Sequence, residues 1–133
     1  MQEEDHVYLA PSLSNLLQIE TLINESEFIT DKCLKATALI VSTEIFCNIV
    51  EHGNVPESTC VDVHIIKDDL LKIKFVYETP NFDKLLKKAK ELKPYYDEKS
   101  KRYRGLGMIM LKNLSKNIDY KKGISKSAII VTL

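Results

Sequence analysis

The chain has 133 residues, 44% of them hydrophobic and 29% charged, a balance of globular rather than disordered material. Its basic and acidic residues cancel to a net charge of +0, so no overall field draws it to nucleic acid or an anionic membrane. The three cysteines, Cys33, Cys47 and Cys60, form no C-x-x-C pair, so they suggest neither a zinc site nor a disulfide framework and read as buried free thiols of a reducing cytoplasm.

In chain order, His6 to Ala10 reads as a short strand ended by Pro11. Ser12 or Ser14 can cap a helix running to about Asn24, with Leu16, Leu17, Ile19, Leu22 and Ile23 as its apolar stripe. A polar loop follows, and Thr30 or Asp31 caps a long helix from Lys32 to His52, closed by Gly53. Cys60 to Ile66 and Leu70 to Tyr77 read as an antiparallel hairpin across Lys67-Asp68-Asp69. After a break at Thr79-Pro80-Asn81, Asp83 can cap a helix that stops before Pro94. Tyr95 to Arg104 lacks periodicity and reads as a mobile loop. Nine Lys or Arg against three acids between Lys84 and Arg104 make this stretch basic, either as a solvated helix face or as a surface meeting phosphates or an acidic partner. Gly105 opens a further helix with Leu106, Ile109, Met110 and Leu114 inward. Strands at Ile118 to Tyr120 and Ala128 to Leu133 end the order. Strands and helices do not alternate as βα units, so the pattern predicts one domain over residues 1–133. Its architecture is an α+β (α/β) two-layer sandwich, a mixed, mostly antiparallel sheet with helices on one face. The N-terminus lacks a signal-peptide pattern and no apolar run approaches 18 residues, so nothing is expected to span a membrane.

Three constellations could carry chemistry. The first is Glu44-x-x-x-Asn48-x-x-x-His52-Gly53, three polar residues four apart and so in one row along an otherwise apolar helix. Burying a polar group without a partner costs roughly 2–7 kcal/mol, and a charge costs more, so the row calls for water, a protein partner or a metal. A carboxylate and an amide oxygen one turn apart can address a hydrated magnesium ion. The row can equally be a solvated stripe, with His52 favoured at a helix C-terminus. The second is Arg104-Gly105-Leu106-Gly107, where glycines and a helix start allow backbone N–H groups to approach phosphate oxygens. The third is Tyr77 to Asp83, a break directly after a strand.

Together these resemble the Bergerat-type (histidine-kinase-like) ATPase superfamily, and within it the small bacterial anti-sigma factor serine kinases. The resemblance rests on the E-x-x-x-N-x-x-x-H-G box, the R-G-L-G-x-x-x-L box and their order along nearly the whole chain. It implies that Asn48 coordinates a magnesium ion bridging the phosphates of ATP, and that Glu44 is the general base for an attacking serine hydroxyl. His52 and Gly53 would line the pocket floor with Phe82 and Asp83 beside it. Arg104, Gly105, Leu106 and Gly107 would hold the phosphates under a lid formed by Tyr95 to Arg104. The implied function is a cytoplasmic ATP- and Mg²⁺-dependent regulator that binds a sigma factor and phosphorylates an anti-sigma antagonist on serine, without direct nucleic-acid or membrane contact. Dimers are common in the family. One motif departs from the pattern. Tyr77, Thr79 and Asn81 stand where the family has Asp, Gly and a second small residue, and Glu78 is a carboxylate one position late, on the opposite strand face. The alternative is therefore a degenerate, nucleotide-free binding module of the same fold, acting by protein–protein interaction alone.

Overall fold

The computed structural model describes residues 3–79, 95–97, 102–104 and 112–133, of which Glu3 and the segments 95–97 and 102–104 are described as backbone. Strand β1 (Glu3–Leu9) leads through a short 3-10 turn (Leu13–Asn15) into α1 (Leu16–Glu25) and then α2 (Lys32–His52). The hairpin β2 (Val61–Lys67) and β3 (Leu71–Tyr77) follows. Short strands β4 (Tyr95–Asp97) and β5 (Arg102–Arg104) pair with each other, and β6 (Asn117–Lys122) and β7 (Ser127–Thr132) complete the main sheet. That sheet has five strands in the order β1-β2-β3-β7-β6, with every neighbouring pair antiparallel.

Period-two alternation explains why one face takes the helices. Val61, Val63 and Ile65 of β2, Leu71, Ile73, Phe75 and Tyr77 of β3, and Ile129 and Val131 of β7 are all buried. Registered pairs such as Val63 with Phe75 and Phe75 with Ile129 bring them onto one surface. Against it lie Ile19 and Ile23 of α1 and Ala38, Val41, Ile45, Phe46 and Ile49 of α2. Each large side chain buried there contributes about 1.5–3 kcal/mol by leaving water. Leu17, expected in the α1 stripe, is instead 69% exposed: it stands two residues from Ile19, or 200° around the helix.

Local chemistry sets the ends. The Asp31 carboxylate accepts from the Cys33 and Leu34 amides at 2.8 and 3.3 Å, satisfying two of the orphan donors of α2. Asp68 accepts from the Leu70 amide at 3.1 Å, the side-chain turn that closes the β2–β3 hairpin, and this bond holds its carboxyl below the usual range. At the end of α2 the expected glycine stop works differently from a left-handed cap. Gly53 has helical φ and ψ (−79°, −16°), and the left-handed residue is Asn54 at φ 50°. Glycine is required at position 53 because a Cβ there would stand 2.5 Å from the Ile49 carbonyl oxygen.

Three further expectations need correction. Tyr95 to Arg104 is not all loop: β4 and β5 within it pair antiparallel, and three-residue strands are too short to leave a periodicity in the sequence. Leu114 is 38% exposed rather than inward. Cys33 and Cys60 are exposed, at the start of α2 and just before β2, and Cys47 is half-buried, so none is a core thiol. By length and mean hydropathy (1.5) α2 could cross a bilayer, but it packs on α1 and β3 as a core helix does. The helix expected after Asp83 lies outside the described residues.

Candidate functional site

At 100° per residue, the fully buried stripe of α2 centres on Ala38, Ser42, Ile45 and Ile49. Glu44, Asn48 and His52 fall on one flank of that stripe, and all three are half-buried. This is the boundary between core and solvent, where a polar row can stay hydrated on one side. Each of the three makes at least one interaction within the chain. The His52 ring, 33% exposed, lies 3.9 Å from the Glu51 carboxylate and at the helix C-terminus, where a positive charge is favoured.

The end of β3 is tied to the end of this helix. The Thr79 hydroxyl donates to the Gly53 carbonyl oxygen, one of the last carbonyls of α2 and without an intrahelical donor. This bond joins the strand break to the helix stop, so the His52 end of the row lies beside the residues that leave β3. The sequence carries no signal for this contact beyond the hydroxyl itself.

Tyr77 is the last residue of β3 and is fully buried on the helix-facing side of the sheet. Burial, with Tyr120 nearby on β6, raises its hydroxyl well above the usual tyrosine range, and Tyr120 is raised by burial too. An aromatic ring thus occupies the inward register position at the end of β3, with Glu78 following outside the strand and half-buried.

Glu44 and Asn48 carry hard oxygen donors one helical turn apart, the donor type that a magnesium ion takes. The described residues offer no carboxylate at the inward position of Tyr77, where the resemblance places the adenine contact. Of the remaining predicted site residues, Arg104 lies at the end of β5, while Phe82, Asp83, Gly105, Leu106 and Gly107 lie outside the described residues. An open groove lined by Glu4, Asp5, Glu25, Glu27, Phe28 and Lys67 lies at the opposite end of the sheet, and its four carboxylates exclude it as a phosphate site.

No protein-family profile and no curated protein matches the sequence. Solved structures do match. The structure of the RsbU and RsbW domains of Rv1364c from Mycobacterium tuberculosis superposes with a TM-score of 0.65 at 14% identity, over 98% of this chain and 32% of that one. This chain therefore spans about a third of the length of that neighbour. A chain of the SiaB–SiaC complex from Pseudomonas aeruginosa superposes with a TM-score of 0.63 at 13% identity, over 97% of this chain and 89% of that one. At such identities the likeness is one of architecture: the five-stranded antiparallel sheet, with α1 and α2 on one face, is an α+β fold shared with these two structures.

Proposed function

We propose that this protein is a cytoplasmic partner-switching regulator of the anti-sigma factor kinase type that binds MgATP along the α2 row. The observation that supports the reading most directly is the half-buried line Glu44, Asn48, His52 ending at a glycine that the β3 terminus grips through Thr79. In this reading Asn48 offers its amide oxygen to magnesium and Glu44 accepts the proton of an incoming serine hydroxyl. His52 and Gly53 form the floor, and Arg104, Gly105, Leu106 and Gly107, with Phe82 and Asp83, complete the pocket. When bound, ATP supplies the phosphoryl group, and the chain contributes positioning and charge neutralisation. The partners would be a sigma factor and an antagonist protein that carries the acceptor serine, with the protein acting as a homodimer.

A second reading is favoured by one specific observation, the buried ring of Tyr77 at the inward end of β3. A carboxylate reading an adenine amino group makes a charge-assisted bond of about 1.5–3 kcal/mol, which tyrosine does not replace. The protein would then act through partner binding alone. Thermal unfolding with MgATP separates the two. Nucleotide at a hundred times its Kd adds about 2.7 kcal/mol of stability under the first reading, and nothing under the second. Asn48→Ala should abolish the magnesium-dependent part of binding, whereas Glu44→Ala should leave binding intact and stop phosphate transfer. Equal MgATP affinity in wild type and Asn48→Ala would refute the metal role of Asn48.

A further inference from the structure

The face of the sheet opposite the helices carries a second cluster, unrelated to the α2 row. Antiparallel pairing of β1 with β2 sets His6 opposite His64, and Asp62 lies two residues before His64 on the same face. The two imidazole rings stack with centroids 5.3 Å apart and planes inclined by 21°. The Asp62 carboxylate reaches both rings: Oδ1 lies 3.8 Å from His6 Nδ1, and Oδ2 lies 2.7 Å from His64 Nε2. The other nitrogen of His64, Nδ1, meets the Glu4 carboxylate.

The chemistry of His64 is the decisive point. A neutral imidazole has one N–H and one lone pair, yet carboxylate oxygens stand at both of its nitrogens. Two arrangements satisfy this geometry: a doubly protonated ring that donates to both carboxylates, or a neutral ring whose Nδ1–H donates to Glu4 and whose Nε2 lone pair, facing Asp62, is offered to a cation beside them. Asp62 Oδ1 meanwhile is buried and has no hydrogen-bond partner among the described residues. A buried carboxylate oxygen without a donor is costly and is an available ligand.

We propose that His6, Asp62 and His64 bind a divalent transition-metal ion of the zinc type, with Glu4 orienting the His64 ring. One donor atom from each of the three residues can be chosen such that all lie within 4.8 Å of one another. Zinc bonds of about 2.0–2.2 Å in a tetrahedron set ligand atoms about 3.3 Å apart, so adjustments of about an ångström complete the site. His6, whose side chain is 47% exposed, can make that adjustment without disturbing the core. Two imidazoles and a carboxylate select zinc, copper, nickel or cobalt over magnesium, which requires hard oxygens. Three protein ligands leave a fourth position on the solvent side for water or a partner's side chain. Glu4 accepting from Nδ1–H is the outer carboxylate that fixes the tautomer of a metal-binding histidine. Two carboxylates and two neutral imidazoles also neutralise a dication.

The test is calorimetric titration of the metal-free protein with zinc chloride, repeated with magnesium chloride, alongside imidazole NMR. One zinc per chain is expected, with no magnesium binding at this face, and with shifts of the His6 and His64 resonances but not those of His52. Glu4→Gln should lower zinc affinity by about 10–100-fold, as loss of an outer ligand does, and His6→Ala should lower it further. His6 is exposed, so that variant retains the fold. Unchanged zinc uptake by His6→Ala would place the ion away from this cluster and overturn the proposal, as would less than one zinc per chain or a shift confined to His52.

Discussion

Replacing Tyr77 by Phe tests the strand end on which the two functional readings diverge. The ring is fully buried and its hydroxyl is held protonated well above the usual tyrosine range, chiefly by desolvation. In the unfolded chain the same hydroxyl ionises near pH 10, so above that pH the unfolded state carries fewer protons than the folded state. The slope of stability with pH follows the protons bound by the unfolded state minus those bound by the folded one, and is negative here. The stabilisation is therefore complete below pH 10 and is lost as pH rises toward the raised folded value, at about 1.4 kcal/mol per unit for one group. Urea unfolding at pH 9 and 11 should show wild type losing about 1.4 kcal/mol more than Tyr77→Phe, which keeps the ring but cannot ionise. Tyr120 is raised as well and contributes to the common alkaline loss in both proteins. Equal losses in the two proteins would mean that the Tyr77 hydroxyl ionises freely. Its side chain would then be able to leave the inward position and open it to a ligand.

Two further predictions concern the ends of α2. Asp31→Ala removes the acceptor of the Cys33 and Leu34 amides and should cost about 1 kcal/mol, measured by thermal or urea unfolding. Gly53→Ala forces a Cβ against the Ile49 carbonyl and should cost roughly 1–3 kcal/mol. By contrast Asn54→Gly, at the left-handed residue, should change stability by less than about 0.5 kcal/mol in the same assay.

The residues differ in how much of their setting a sequence can reveal. The bounds of α2 were legible because Asp31 is a strong cap and Gly53 a stop, and the β2–β3 hairpin because apolar residues alternate cleanly on both strands. The row of Glu44, Asn48 and His52 is a matter of helical spacing and needs no tertiary knowledge. What spacing does not convey is where the flank of a helix lies relative to a sheet, and so the half-burial of that row came from packing. Tyr77 illustrates the same limit. Its place at the end of a strand is readable, while its raised hydroxyl depends on helices and on Tyr120, which arrives from β6. The cluster on the outer face was half legible: Asp62 and His64 share a face by period two, but the β1–β2 register delivers His6 from the far end of the chain. Cysteine is so often buried that residue type alone does not reveal the exposure of Cys33, in the first turn of a helix, or of Cys60, in a loop.

The apolar character of α2 has a consequence before the fold is complete. By length and composition its most hydrophobic window passes the test for a membrane span, and only 33% of that window is buried in the folded chain. A nascent or thermally opened chain that releases this helix from β3 presents a segment with affinity for lipid and for other unfolded chains. Docking on β3 covers part of that window in the folded chain. Weakening that docking should reveal itself first as aggregation or vesicle adsorption, ahead of any loss of helical content.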